Sequence, residues 1–297
     1  MSQPRRRREE QHPLFNTTYT LHTLGPLFSF PALTPAALAP HSKRLLQHLR
    51  GDVVRGVTIP TSEQAQLSRA GKLLQCTWSA LPRIPAAGEE EEQQEEEEAE
   101  AEVTGVRIEL VHENASYTAL LLGLTPSEQK VKKEFTSLPL LLTRMPSPLR
   151  EPLLKYLATT FDVLLRPLPL PDLLLRECLD AYIAKSAGGG AKDVVLTFVP
   201  GGEGVEGLKR VTITVDGEDV ARLHARVAEG ESWLGLLGEQ LESVSGLRLT
   251  EVDLVKVAAG GFVLATEGRG KFFEGGAKAT RWVLGRVLKE AAGRGGG

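Results

Sequence analysis

Of the 34 residues from Leu138 to Pro171, twelve are leucine and seven are proline, and none is Gly, His or Cys. Leucine at that density has to be buried, and proline dictates where the backbone turns and where a helix can start. Leu140 to Leu142 read as a short buried strand. Ser147-Pro148 is a helix-start signal, but Pro152 would interrupt the first turn, which places the helix proper nearer Glu151. Leu149, Leu153, Leu154, Leu157 and Phe161 then recur at three- and four-residue spacing and make one apolar face. Pro167, Pro169 and Pro171 halt regular structure before a second helix, Asp172 to Lys185. This is a rigid structural module, with no residue suited to nucleophilic or metal chemistry.

The whole chain has 297 residues, 41% hydrophobic and 25% charged, an ordinary globular composition with length for one large domain or two smaller ones. No apolar run approaches the ~20 residues that cross a bilayer, and the basic start MSQPRRRREE lacks the apolar region of a secretory signal. Cys76 and Cys178 stand far apart without a partner pattern. They read as buried thiols of an intracellular protein, not as a disulfide.

The formal charge of −3 conceals a division, because residues 89–102 hold ten glutamates and no basic residue, and setting them aside leaves +7. A run of like charge repels itself and builds no core, so it reads as a disordered insert. It is either a solvated spacer or an acidic tract that competes with DNA for the basic surface. The mildly basic remainder permits nucleic acid without requiring it.

Residues 1–13 read as a disordered tail, in which Arg5 to Arg8 suit an import signal, a phosphate contact or plain solvation. An N-terminal lobe then covers 14–134, interrupted by the insert at 83–102. Its predicted elements are a strand within Leu14–Leu24, a helix at Pro40–Leu49, strands at Val53–Ile59 and Leu73–Leu81, and a hairpin of Val106–His112 with Ser116–Leu122. A C-terminal lobe covers 135–292. After the leucine–proline module come strands at Asp193–Val199 and Lys209–Val215, then helices at Asp219–Val227 and Ser232–Val244. Strands at Thr250–Val257, Gly261–Ala265 and Lys271–Phe273 precede a closing helix, Ala277–Ala291, and residues 293–297 form a disordered glycine-rich end. Mixed element order without a β-α-β repeat predicts an α+β fold with largely antiparallel sheets.

No catalyst is nominated. A phosphate-binding loop around Gly270-Lys271 would need Gly at 265 and Ser or Thr at 272, where the chain has Ala265 and Phe272. The six histidines have no second ligand at metal spacing, and His22 either borders the core or faces solvent. There is no Gly-x-Ser-x-Gly elbow. Solvation accounts for Glu109, Glu113, Asp216 and Glu218 better than acid/base pairing does. The sequence thus predicts no enzyme, cofactor, metal or small-molecule ligand.

The closing helix says more. Val283, Leu284, Val287, Leu288 and Ala291 share an apolar stripe, opposite Lys278, Arg281, Arg286 and Lys289 with Trp282 among them. Basic residues around an aromatic suit a phosphate backbone. A solvated basic face, with Trp282 packed on a neighbouring lobe, and a protein contact are the other readings. Phe272 and Phe273 point to opposite faces of a strand, so one needs cover from beyond its own layer. Either the closing helix supplies it, or strands 250–273 form an edge to which a partner adds strands, through Val255, Val257, Phe262, Phe272 and Phe273.

Leu138–Pro171 resembles the centre of the fungal branch of the centromere protein L family, an inner-kinetochore subunit. Three further blocks agree: Leu14–Phe30, with its turn at Gly25-Pro26; Asp52–Trp78, from DVVRGV through LSRAGKLLQCTW; and Val252–Phe273. The resemblance implies a structural subunit in the nucleus, at the centromere and kinetochore. It implies a heterodimer with a centromere protein N homologue formed through the C-terminal sheet, contacts with other inner-kinetochore subunits and with centromeric DNA or nucleosomes, and no membrane. A stand-alone DNA-binding module using the last helix is the alternative.

Overall fold

The computed structural model describes residues 12–53, 67–82, 84, 102–124, 134–186, 192–200, 210–228, 230–274 and 277–295. In chain order these give β1 (Thr18–Leu24), β2 (Leu27–Phe28), α1 (Pro35–Val53), β3 (Leu73–Ala80), β4 (Val103–His112), β5 (Ser116–Leu124), β6 (Phe135–Thr136) and β7 (Leu140–Arg144). Then follow α2 (Ser147–Phe161), β8 (Leu165–Pro167), α3 (Asp172–Lys185), β9 (Val194–Pro200), β10 (Val211–Val215), α4 (Gly217–His224) and α5 (Trp233–Ser245). The chain closes with β11 (Val252–Ala258), β12 (Phe262–Ala265), β13 (Arg269–Phe272) and α6 (Ala277–Gly295).

Eleven strands form one antiparallel sheet, ordered β10-β9-β11-β12-β13-β1-β7-β5-β4-β3 with β8 beside β1, while β2 and β6 pair separately. The α+β expectation holds. The boundary placed after residue 134 falls between β5 and β6, and strands from both sides of it share the sheet. Its pivot is β1, which gives one edge to β7 and divides the other between β13, at Thr18–Thr20, and β8, at His22–Leu24.

The leucine density now has a cause. Leu120, Leu121 and Leu122 on β5 and Leu140, Leu141 and Leu142 on β7 are all 0% exposed. Side chains alternate along a strand, so Leu120, Leu122, Leu140 and Leu142 enter a core shared with α3, α5 and α6. Leu121 and Leu141 enter a second core, on the opposite face, with α1 and α2. A strand covered on both faces needs an unbroken apolar run, and both strands have one.

Several predicted boundaries move. The first helix starts at Pro35 rather than Pro40, with Thr34 Oγ1 accepting from the Ala37 amide at 3.4 Å, and Pro40 lies inside it. Val53, expected to open a strand, ends this helix, and the rest of that predicted strand lies outside the described residues. Helix α2 begins at Ser147 despite Pro152. Proline so near a helix start removes one early hydrogen bond, and burial of Leu149, Leu153, Leu157 and Phe161 outweighs that loss. Helix α6 runs on to Gly295, so residues 293–295 are helical rather than a disordered end. At the other terminus His12, assigned to the tail, is buried.

His22 is a core residue, only 4% exposed, and burial followed by the Arg150 charge pushes its pKa down to about 4. The unfolded chain therefore binds the proton more readily. Stability linked to His22 is fully present above about pH 6.5 and is lost as pH falls toward 4. Urea titrations at pH 7.5 and 4.5 should differ by roughly 2 kcal/mol from this group. The difference should shrink in His22→Gln.

Candidate interaction surfaces

The strands of residues 250–273 are not an edge: β11 lies between β9 and β12, β12 between β11 and β13, and β13 between β12 and β1. The sheet ends instead at β3 and at β10. These two ends are built differently.

Along β3, α1 supplies side chains to the backbone. Ser42 Oγ accepts the Trp78 amide at 2.9 Å, and the Arg50 guanidinium donates to the carbonyls of Leu73 at 2.9 Å and Leu74 at 3.1 Å. An edge with free N–H and C=O groups is a template for another strand, and here helix side chains occupy that template. Along β10, Val211, Ile213 and Val215 face the core, Thr212 and Thr214 are exposed, and nothing among the described residues pairs with the outer side.

The five residues expected to bind a partner divide by face. Val257, Phe262 and Phe272 are 0% exposed and belong to the core beneath α3 and α6, where Phe262 meets the Tyr182 ring edge-on at 5.4 Å. They hold the sheet together and present nothing outward. Val255, where the β9–β11 register shifts, and Phe273 are only partly buried and belong to neither core. Phe273 shares an open depression with Val195, Ala258 and Val263, rimmed by Lys192, Asp193 and Glu274, and Lys271 Nζ lies 4.7 Å from its ring centroid. Phe272 lies in the core that α6 also joins, and Phe273, next in the chain, lies outside both cores.

On α6 the predicted stripe is confirmed, with Val283, Leu284, Val287, Leu288 and Ala291 at most 1% exposed. The basic face is less free than its spacing implies. Arg286 is held by the Glu177 carboxylate of α3 through two bonds of 2.7 and 2.9 Å. Trp282 packs against the core, with Lys185 Nζ 5.9 Å from its ring centroid. Lys278 and Lys289 are exposed and Arg281 is half-buried. Helical periodicity finds the face but cannot reveal Glu177, which lies 109 residues away.

Burial pushes the thiols of Cys76 and Cys178 up to about 12, so neither is a ready nucleophile, and both are free. Among the described residues no group of three His, Cys, Asp or Glu side chains is placed to hold a metal, and no helix is long and apolar enough to cross a membrane. Asp180, raised by burial, accepts the Leu234 amide at the start of α5, a structural duty. Ser42, Arg50, Asp180 and Arg286 each join one element to another.

Such a molecule is an α+β body whose traced side chains bind its elements to one another. The centromere protein L family model matches residues 13–292, and the chain belongs to that family of structural, inner-kinetochore proteins. No curated protein matches it.

Proposed function

We propose that this chain is a non-enzymatic subunit of the fungal branch of its family, and that it forms a heterodimer with a centromere protein N homologue. The pair works in the nucleus, at the centromere, as part of the assembly that carries the kinetochore and directs chromosome segregation. One observation carries the pairing: β3 is closed by Ser42 and Arg50, whereas no strand among the described residues pairs with the outer side of β10. A partner strand on β10 would extend the sheet, and Val255 and Phe273 would meet the partner on the face opposite the core of α3 and α6. A stable pair of this kind buries on the order of 1,600 Å².

The same reading gives α6 a secondary role as a basic wall beside centromeric DNA, with Lys278, Arg281 and Lys289 near phosphates and Arg286 and Trp282 positioning the helix. In the heterodimer, Lys278→Ala with Lys289→Ala should weaken duplex DNA binding about fivefold at 50 mM salt and flatten the salt slope by roughly two. Fluorescence anisotropy reads both quantities, and unchanged values would remove the wall. Submicromolar, steeply salt-dependent binding by the isolated chain would favour the alternative of a self-sufficient DNA-binding module.

A further inference from the structure

Ser147-Pro148 starts α2, but the pair has a second chemical meaning. A hydroxyl residue precedes proline at three places in the sequence, Thr34, Thr125 and Ser147, and only Ser147 has a basic residue three positions on, Arg150. Proline brings no amide donor, so a kinase cleft without an acceptor at that point admits it and refuses other residues. Serine, proline, any residue and a cation form the pattern that proline-directed protein kinases take.

The geometry adds two observations. Ser147, Pro148 and Arg150 are all part-exposed, and Arg150 Nη2 already donates to Ser147 Oγ at 2.7 Å. Pro146 is extended, with φ −68° and ψ 155°, and gives α2 no side-chain cap. Pro152 supplies no donor for the Pro148 carbonyl, so this turn depends on the Leu149 side chain, which is 5% exposed. Local opening of one short turn presents residues 145–150 in the extended form a kinase cleft needs, with the rest of α2 still packed. A phosphate on Oγ would then place nearly two negative charges beside a guanidinium that already touches that oxygen.

We infer that Ser147 is a phosphate acceptor for a proline-directed protein kinase, and that Arg150 then holds the phosphate against the first turn of α2. Ser147 Oγ bonds to the γ-phosphorus of ATP, the bond from that phosphorus to the bridging oxygen breaks, and ADP leaves. The hydroxyl proton passes to a carboxylate base of the kinase, so this chain need supply no base of its own. Helix α2 belongs to the core of α1, whereas β10 and α6 belong to the other core, so the modification stands apart from the pairing and from the DNA wall. Around the turn Arg144 and Arg150 favour the phosphate dianion and Glu151 opposes it, while His22 on β1, which the Arg150 charge helps to keep neutral, adds no charge.

Treatment of the full-length wild-type chain with a cyclin-dependent kinase and MgATP, read by peptide mass spectrometry, tests the acceptor. Phosphate should appear at Ser147 about tenfold faster than at Thr34 or Thr125. No phosphate at Ser147, or equal rates at all three positions, would overturn the assignment. Phosphorus NMR of the modified chain then tests the grip. Held by Arg150, the phosphate should lose its second proton below the pH of about 6 usual for phosphoserine, and unfolding in urea should return the midpoint to about 6. The same return is expected in folded Arg150→Ala, which separates the guanidinium from the rest of the turn. A midpoint that is the same in the folded and the urea-unfolded chain would overturn the holding of the phosphate.

Discussion

Leu141→Ala is expected to lower the unfolding free energy by about 3–4 kcal/mol, because the site is sealed on every side and cannot collapse around the missing atoms. Leu141 is 0% exposed on β7, with β1 and β5 as its neighbours and α1 and α2 over its face. Leu142→Ala should cost about as much through the opposite core, again as cavity formation. For a chain of this size such a loss lowers Tm by about 10 °C. Thermal denaturation measures it, and Leu173→Ala, in an exposed leucine of α3, serves as the control that should be near neutral. A drop below 1 kcal/mol at Leu141 would mean that the second core is not closed as described.

A comparably large effect is expected on pairing from a single proline in β10. In an antiparallel pair, successive N–H groups alternate between the neighbouring strand and the open side. Of Thr212→Pro and Ile213→Pro, one therefore breaks a bond to β9 and the other removes only an outward donor. The variant that keeps a Tm close to wild type should still lose co-purification with the centromere protein N homologue by more than about a hundredfold, since edge strands tolerate proline only where no partner needs the donor. Undiminished pairing in that variant would exclude strand addition at β10. A charge at Phe272 makes a poor probe by comparison, since that ring is wholly buried and the fold itself would fail.

Much of this architecture was legible in the sequence because its signals are local. The run Leu140–Leu142, the hairpin at residues 106–122, the start of α3 at Asp172 and the stripe Val283–Ala291 each depend on neighbours a few residues away. Those neighbours set periodicity and turns. The family was legible for a related reason, since its blocks are the strings that build the sheet. What escaped was long-range. Whether strands at 250–273 lie at the rim or in the middle depends on where β9 and β1 insert, and nothing within those residues encodes that. Likewise Arg286 advertises a free cation until Glu177 is brought beside it. Ser42 and Arg50 close β3 from a helix whose sequence gives no sign of that duty.

The two helix starts near proline move for one reason. Local preference makes the prolines at 40 and 152 helix limits, and burial of the flanking leucines outweighs that preference. The same burial fixes the chemistry available to the chain, raising both thiols out of the reactive range and leaving His22 neutral at physiological pH.

Hydrogen–deuterium exchange of the full-length chain, alone and with the centromere protein N homologue, tests the edge assignment most directly. Amides of residues 211–215 should gain protection of at least tenfold on pairing, while those of β3, already closed by α1, stay unchanged. Protection that appears along residues 73–80 instead, or a complex that leaves β10 exchanging as in the free chain, would contradict the account.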